Sequence, residues 1–293
     1  MRTVSLMILL SVLVVLAGGL VGGMGGLITA LVFAGVMNFV AYWFSDKMAL
    51  AMSGAKPVTE KEEPRLHRMV ADVAQRAELP MPKVYVIKND SPNAFATGRN
   101  PKHAVVAVTT GIQSVLSEDE LRGVIAHEMG HIKNRDMLVM TIVAMLAATI
   151  TFLATMAQWS MIFGGMGGRD RDRGGGMMGI VAMLVLIILM PLAATMVRMA
   201  ISRTREYGAD EMGARILGNP MPLASALEKL DAAVHRKALP ATAKNEAMAH
   251  LYIVNPLGAR EQHAKESGGG FVNMFSTHPP IKERVRRLRE LTF

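Results

Sequence analysis

The chain reads as an α+β membrane protein, with four transmembrane helices joined to a mainly helical polar part that carries a small β-sheet. Three observations predict this class. First, 51% of the 293 residues are hydrophobic and the mean hydropathy is positive, too apolar for an ordinary soluble protein of this size. Second, four long runs without charge, residues 4–21, 27–44, 137–163 and 177–197, alternate with polar stretches. Each is about long enough to cross a hydrocarbon core of roughly 30 Å. Third, the polar stretches switch between a helical period and the alternation of short strands, concentrated over residues 83–109.

Residues 1–45 are expected to form a transmembrane hairpin. Its two runs are separated by the glycine-rich break 22–26, and Tyr42 and Trp43 close the second run as interface residues. A cleaved signal peptide competes for the first run, but its length and the immediate second run favour a span. Residues 46–136 form the first polar part. Residues 60–76 repeat apolar positions at Leu66, Met69, Val70 and Val73 and predict a helix. Pro80 and Pro82 mark a turn, and residues 83–88, 91–99 and 104–109 read as strands. Residues 137–199 are expected to hold the second transmembrane pair, kinked at Pro191 and joined by the glycine-rich loop 164–176. A buried helical hairpin is the alternative, and the length of both runs favours spans. Residues 200–293 form a second, mostly helical polar part that ends in a basic helix over 280–291.

Lysine and arginine gather after the second run, before the third and after the fourth, while the first loop has none. This pattern predicts a multi-pass protein of the cell membrane with both termini and both polar parts in the cytoplasm. Arg169, Arg171 and Arg173 dissent, diluted by Asp170 and Asp172. The net charge of +8 is spread through the polar segments without interleaved aromatics, which points to a lipid bilayer and not to nucleic acid. There is no cysteine, so disulfides, cysteine-ligated zinc and a cysteine nucleophile are excluded.

The chemistry concentrates in His127-Glu128-Met129-Gly130-His131. On a helix, residues four apart share a face, so both imidazoles can converge on one ion while Glu128 reaches a water beside it. Ser117 and Glu120 form the pattern of a capping box, and Leu121, Val124 and Ile125 give the helix an apolar face running to about Arg135. Two neutral nitrogens, an open coordination position and a carboxylate base are what a zinc hydrolase needs. A third ligand must come from elsewhere. Glu206 follows the fourth apolar run and shares a helix face with Asp210; by spacing it is a candidate ligand, and a solvated charge at a helix end is the alternative.

The runs His127-Glu128-Met129-Gly130-His131-Ile132-Lys133-Asn134-Arg135-Asp136 and Ser202-Arg203-Thr204-Arg205-Glu206-Tyr207-Gly208-Ala209-Asp210 resemble the HtpX family of integral-membrane zinc metalloproteases, relatives of the CAAX prenyl endopeptidases. The four apolar runs, the segment Asn93-Ala94-Phe95-Ala96-Thr97-Gly98 and the late Ser276-Thr277-His278-Pro279-Pro280 agree in type and order, over nearly the whole chain. The resemblance implies a zincin-like catalytic domain and makes Glu206 the third zinc ligand beside His127 and His131. It leaves Glu128 as the base and brings His278 forward as a group for the oxyanion. A histidine before two prolines is otherwise a packing or turn residue.

Asp210 can orient a ligand imidazole or pair with Arg203 or Arg205, and both stay open. Asp136 is expected to cap or pair locally. Asn93, Ala94, Phe95 and Ala96 are expected to form an edge strand that receives an extended protein substrate through main-chain hydrogen bonds. The implied function is zinc-dependent proteolytic quality control of misfolded membrane proteins under stress. A specific processing protease and a non-catalytic metal-binding scaffold are the rivals; retention of Glu128 argues against the scaffold. A metal transporter is disfavoured because the ligands lie outside the apolar runs.

Overall fold

The computed structural model describes residues 2–137, 203–236, 253 and 279–292. The chain opens with α1 (Arg2–Ser53), 52 residues long and broken at Gly23, whose φ of 58° and ψ of −142° are not helical. A side chain added at Gly19 would lie 3.6 Å from Leu27 Cδ1. Eight residues of continuous helix would separate these positions by about 12 Å. The two halves of α1 therefore fold back on each other at Gly23, inside the glycine-rich break expected from sequence. Met24, Val32, Phe39 and Trp43 of the second half are 73%, 62%, 59% and 44% exposed, so large apolar side chains of this half lie open.

Among the described residues no helix is long and apolar enough to cross a membrane. The four transmembrane helices expected from sequence are thus not found there. The break at Gly23 shortens the first two segments, the side chains of residues 2–10 and several others in α1 are not described, and residues 138–163 and 177–197 of the later runs lie outside the described residues.

After α1 come β1 (Lys56–Pro57), α2 (Pro64–Arg76), β2 (Lys83–Ile87), β3 (Ala94–Thr97), a 3₁₀ turn (Pro101–His103) and β4 (Val105–Thr109). The short α3 (Thr110–Val115) and the helix α4 (Glu118–Lys133) follow. The four strands make one mixed sheet in the order β1-β2-β4-β3, with β2 parallel to β4 and β3 antiparallel to it. Strand β3 is shorter than the expected 91–99: Gly98, at φ 134°, turns the chain, and an added Cβ there would meet the His103 carbonyl oxygen at 2.4 Å.

One face of the sheet packs on α2 and α4 through Val84, Val106, Val108, Val70, Val73, Val124 and Ile125. The other face holds Phe95, Val105 and Ala107 against Ala49 and Leu50 at the end of α1. Helices α5 (Arg203–Leu217) and α6 (Met221–Arg236) pack on α4, and α7 (Ile281–Glu290) packs on α6 and α5. Leu223, Leu227 and Leu230 of α6 and Val285 and Leu288 of α7 complete the main core.

Candidate metal centre

The motif helix starts as its sequence dictates. Ser117 Oγ accepts from the Glu120 amide at 3.3 Å, and the Glu120 carboxylate accepts from the Ser117 amide at 2.8 Å, closing the capping box. The helix ends at Lys133, two residues short of the expected Arg135, with Asn134 as its cap.

Helix α5 crosses α4 at two glycines. A Cβ on Gly130 would meet the Ala209 carbonyl oxygen at 2.8 Å, and one on Gly213 would meet the His127 amide nitrogen at 2.8 Å. This close backbone approach brings Glu206 over the two histidines. His127 Nε2 lies 4.0 Å from Glu206 Oε2, and His131 Nε2 lies 3.6 Å from Glu206 Oε1. One ligand atom from each of the three residues falls within 4.8 Å of the others, and all three residues are buried. In a tetrahedral zinc site, bonds of about 2.0–2.1 Å place ligand atoms about 3.3 Å apart. The separations observed exceed this by about 0.3 Å at His131 and about 0.7 Å at His127, so the three side chains must draw together to hold an ion.

Each imidazole presents Nε2 inward because its other nitrogen faces a carboxylate. His127 Nδ1 lies 2.9 Å from Asp210 Oδ1, and His131 Nδ1 lies 3.4 Å from Asp136 Oδ2. These carboxylates favour the tautomers that leave Nε2 free to bind a metal. Asp210 is in turn gripped by Arg284, fully buried on α7, through Nε at 2.8 Å and Nη2 at 2.7 Å. Arg284 Nη1 reaches the Ile253 carbonyl at 3.1 Å and lies 3.4 Å from Glu206 Oε2. Neither Arg203 nor Arg205 holds the Asp210 carboxylate in these contacts. The imidazole and the C-terminal helix do.

The cluster is short of positive charge. Glu128, Asp136, Glu206 and Asp210 are all buried, with Arg284 as the buried guanidinium among them. Burial pushes the Glu128 carboxyl up, only partly offset by the two histidines and by the Ala96 main-chain N–H that it accepts from. Burial also raises Asp210, but Arg284 and His127 outweigh it and hold that carboxyl below its ordinary range. For His131, burial works against the charged form, yet Asp136, Glu206 and Glu128 prevail and push it up to about 9. A site that draws a proton onto a buried imidazole has room for more positive charge. Two imidazole nitrogens and a carboxylate oxygen are the donor set that suits a zinc ion.

The structure brings together His127, Glu128, His131, Glu206 and Asp210. Strand β3 is an edge of the sheet, and Asn93, Ala94, Phe95 and Ala96 are all buried. Ala96 faces the site through its N–H on Glu128. The Ala94 carbonyl accepts from the Ile253 amide at 3.3 Å, and the Asn93 amide donates to Thr109 Oγ1 at 2.8 Å. Phe95 packs on the opposite face of the sheet, under α1. His278 lies outside the described residues.

Asp136 pairs locally, as expected, with His131 as its partner, whereas two features escaped the sequence reading: Arg284 and the Ala96 N–H. Arg284 carried a signal. Ile281, Arg284, Val285 and Leu288 recur at helical spacing, placing an arginine inside an otherwise apolar stripe.

Comparison with known proteins agrees with this geometry. The family model of peptidase family M48 matches residues 60–292. A "Protease HtpX homolog" of Syntrophotalea carbinolica is 51% identical over 292 residues, covering 100% of this chain and 98% of the relative. Proteins of the same description from Aquifex aeolicus and Pyrococcus furiosus are 49% and 50% identical, covering 94% and 99% of this chain and 87% and 95% of their own. Among solved structures, the crystal structure of S. mikatae Ste24p aligns with a TM-score of 0.53 at 20% identity, over 95% of this chain and 62% of that one, a likeness of fold. With its H-E-x-x-H helix, its glutamate-bearing partner helix and relatives at half identity over their full length, the chain belongs to peptidase family M48, among the HtpX proteases.

Proposed function

We propose that this chain is a zinc-dependent endopeptidase of the cell membrane that cuts misfolded or damaged membrane proteins on the cytoplasmic side, as proteolytic quality control under stress. The observation that carries the catalytic part is the convergence of His127, His131 and Glu206 beside a buried Glu128. A structural metal site has no use for a carboxylate base next to its ligands. The membrane part rests on the four uncharged apolar runs and on the exposed apolar side chains of α1 from Met24 to Trp43.

His127 Nε2, His131 Nε2 and a Glu206 oxygen would hold a zinc ion, which would supply Lewis acidity for a water and for the scissile carbonyl. Glu128 takes the proton of the attacking water on a carboxylate oxygen and delivers it to the departing amine nitrogen. Burial raises the proton affinity of that carboxylate. The Ala96 N–H fixes the carboxylate against the edge strand, and a substrate laid along β3 would meet the base from that side. His278 is assigned to the oxyanion on the strength of the family resemblance. The orientation of the imidazoles is the work of Asp210 and Asp136, and Arg284 holds Asp210 in place.

The test is cleavage of an unfolded membrane protein by the detergent-purified chain with added zinc, beside Glu128→Gln. Cleavage by the parent, abolished by a chelator and lost by about 10²-fold or more in the variant, is the expected result. Equal cleavage by both would remove Glu128 as the base. Cleavage of a lipidated peptide alone would shift the reading to a specific processing protease.

A further inference from the structure

The geometry points to a second binding site, distinct from the metal centre: a cationic cleft that takes the phosphate of an anionic lipid headgroup. The cleft has a volume of about 560 Å³ and is lined by Pro80, Arg99, Asn100, Pro101, Lys102, Arg135 and Met137. Among the described residues its walls thus present three cations and no carboxylate. Asp136, next in the chain to Arg135, is turned away toward His131 Nδ1 at 3.4 Å. Three positive groups around one cleft repel one another unless an anion lies between them, and arginine forks suit phosphate oxygens.

Two of the cations are built into place. Arg99 follows Gly98, whose φ of 134° and close approach to the His103 carbonyl set the turn. Asn100 then caps the 3₁₀ turn, accepting from the His103 amide at 3.1 Å, which fixes Lys102 beside it. Arg135 lies one residue past the cap of α4 at φ 60°, a left-handed conformation that favours glycine. Arg135 is one of the residues that line the cleft.

Position argues that the phosphate belongs to a lipid. The Arg99 guanidinium stacks on Trp43 at 4.8 Å from the ring centroid. Trp43, with Tyr42 and Phe44, ends the exposed apolar face of α1, as aromatic residues do at a bilayer interface. Met137, also in the lining, is the first residue of the apolar run 137–163. The cleft therefore sits where two apolar segments meet the polar part, at headgroup depth if those segments span. The lipid source rests on the membrane reading proposed above; the phosphate site itself does not.

The test uses the full chain in neutral detergent with Trp159→Phe, leaving Trp43 as the one tryptophan of the two in the sequence. Short-chain phosphatidylglycerol, short-chain phosphatidylcholine and inorganic phosphate are titrated while Trp43 emission is followed. Phosphatidylglycerol is expected to give a saturable change roughly tenfold or more tighter than phosphatidylcholine. The triple change Arg99→Gln, Lys102→Gln, Arg135→Gln is expected to weaken it by about as much, with zinc binding retained as the check on folding. Arg135→Gly relieves the left-handed strain, so it is expected to weaken phosphatidylglycerol binding while raising the melting temperature.

Unchanged phosphatidylglycerol binding in both variants would overturn the site. Inorganic phosphate binding as tightly as phosphatidylglycerol would overturn the lipid source. Flotation of the parent chain with phosphatidylcholine vesicles tests the membrane reading separately: a chain that does not float sinks that reading, while the detergent titration still decides the cleft.

Discussion

Arg284→Met tests whether the C-terminal helix sets the chemistry of the metal centre. The arginine donates two hydrogen bonds to Asp210, at 2.8 and 2.7 Å, and a third to the Ile253 carbonyl at 3.1 Å, with none of its surface exposed. At such separations, and with an effective dielectric near 20, the charge pair is worth about 4 kcal/mol. Its removal also leaves a buried carboxylate without its counterion, so the net loss belongs to the range of about 3–5 kcal/mol seen when one partner of a buried pair is deleted. For a chain of this size that corresponds to a fall in melting temperature of about 6–20 °C. Methionine keeps most of the aliphatic volume, so little of the loss comes from packing.

The second consequence is chemical. Without Arg284, burial dominates Asp210 and favours its neutral form. A protonated Asp210 no longer draws the Nδ1 proton of His127 toward itself, so Nε2 becomes a poorer ligand. Zinc affinity is expected to fall by about 10–100-fold, the usual consequence of losing a partner behind a metal ligand. Competition with a fluorescent chelator measures it, beside thermal unfolding in detergent. Arg284→Lys is expected to recover part of the stability and less of the affinity, because an ammonium keeps the charge without the planar fork. Zinc affinity within twofold of the parent in the methionine variant, at an unchanged melting temperature, would refute the coupling.

Gly213→Ala is expected to push α5 off α4, since its Cβ would meet the His127 amide at 2.8 Å and the Ala126 carbonyl carbon at 3.0 Å. It should cost about 1–3 kcal/mol in thermal unfolding and weaken zinc binding by displacing Glu206 two turns away; an unchanged zinc affinity would show that the crossing is not what places the third ligand. At Glu120, burial acts upward, but Lys229, Ser225 and Ser117 outweigh it and hold the carboxyl down at about 2, against an ordinary 4.5. A depressed folded value contributes stability above pH 4.5 that is lost as pH falls from 4.5 toward 2. The parent should therefore exceed Glu120→Gln by about 1–2 kcal/mol at pH 7, after discounting the half-exposed Lys229, with the gap closing across that window.

The site was legible in sequence where chemistry is local. His127 and His131 are four apart on a helix whose start is written in Ser117 and Glu120, so their common face follows from the chain alone. Glu206 was a candidate only, because nothing local says which helix will cross α4. That information sits in Gly130 and Gly213, which permit the contact without announcing their partner. Arg284 was harder still, 74 residues from Asp210 in sequence and visible only as a charge in an apolar stripe. The strands show the same limit. Alternation located 83–88 and 104–109, but the order β1-β2-β4-β3 depends on which strands α2 and α4 cover. Phe95 lies in the segment expected to hold substrate, yet it anchors the sheet to α1, because alternate residues of a strand face opposite sides.

The dispersed origin of the centre makes its folding and its metal one equilibrium. His127 and His131 come from the first polar part, Glu206 and Asp210 from the second, and Arg284 from near the chain's end. Closing them together buries four carboxylates against one guanidinium, a cost that zinc offsets only in the folded state. A ligand present at a hundred times its dissociation constant adds about 2.7 kcal/mol of stability, so chelation should lower the melting temperature by several degrees. Glu128→Gln should be more stable than the parent when both are stripped, because one buried carboxylate becomes a neutral amide. It should still gain the full stabilisation on adding zinc, since Glu128 is beside the ligands and not one of them. Loss of the zinc-dependent gain in Glu128→Gln would mean that Glu128 binds the ion, and the division into three ligands and one base would have to be redrawn.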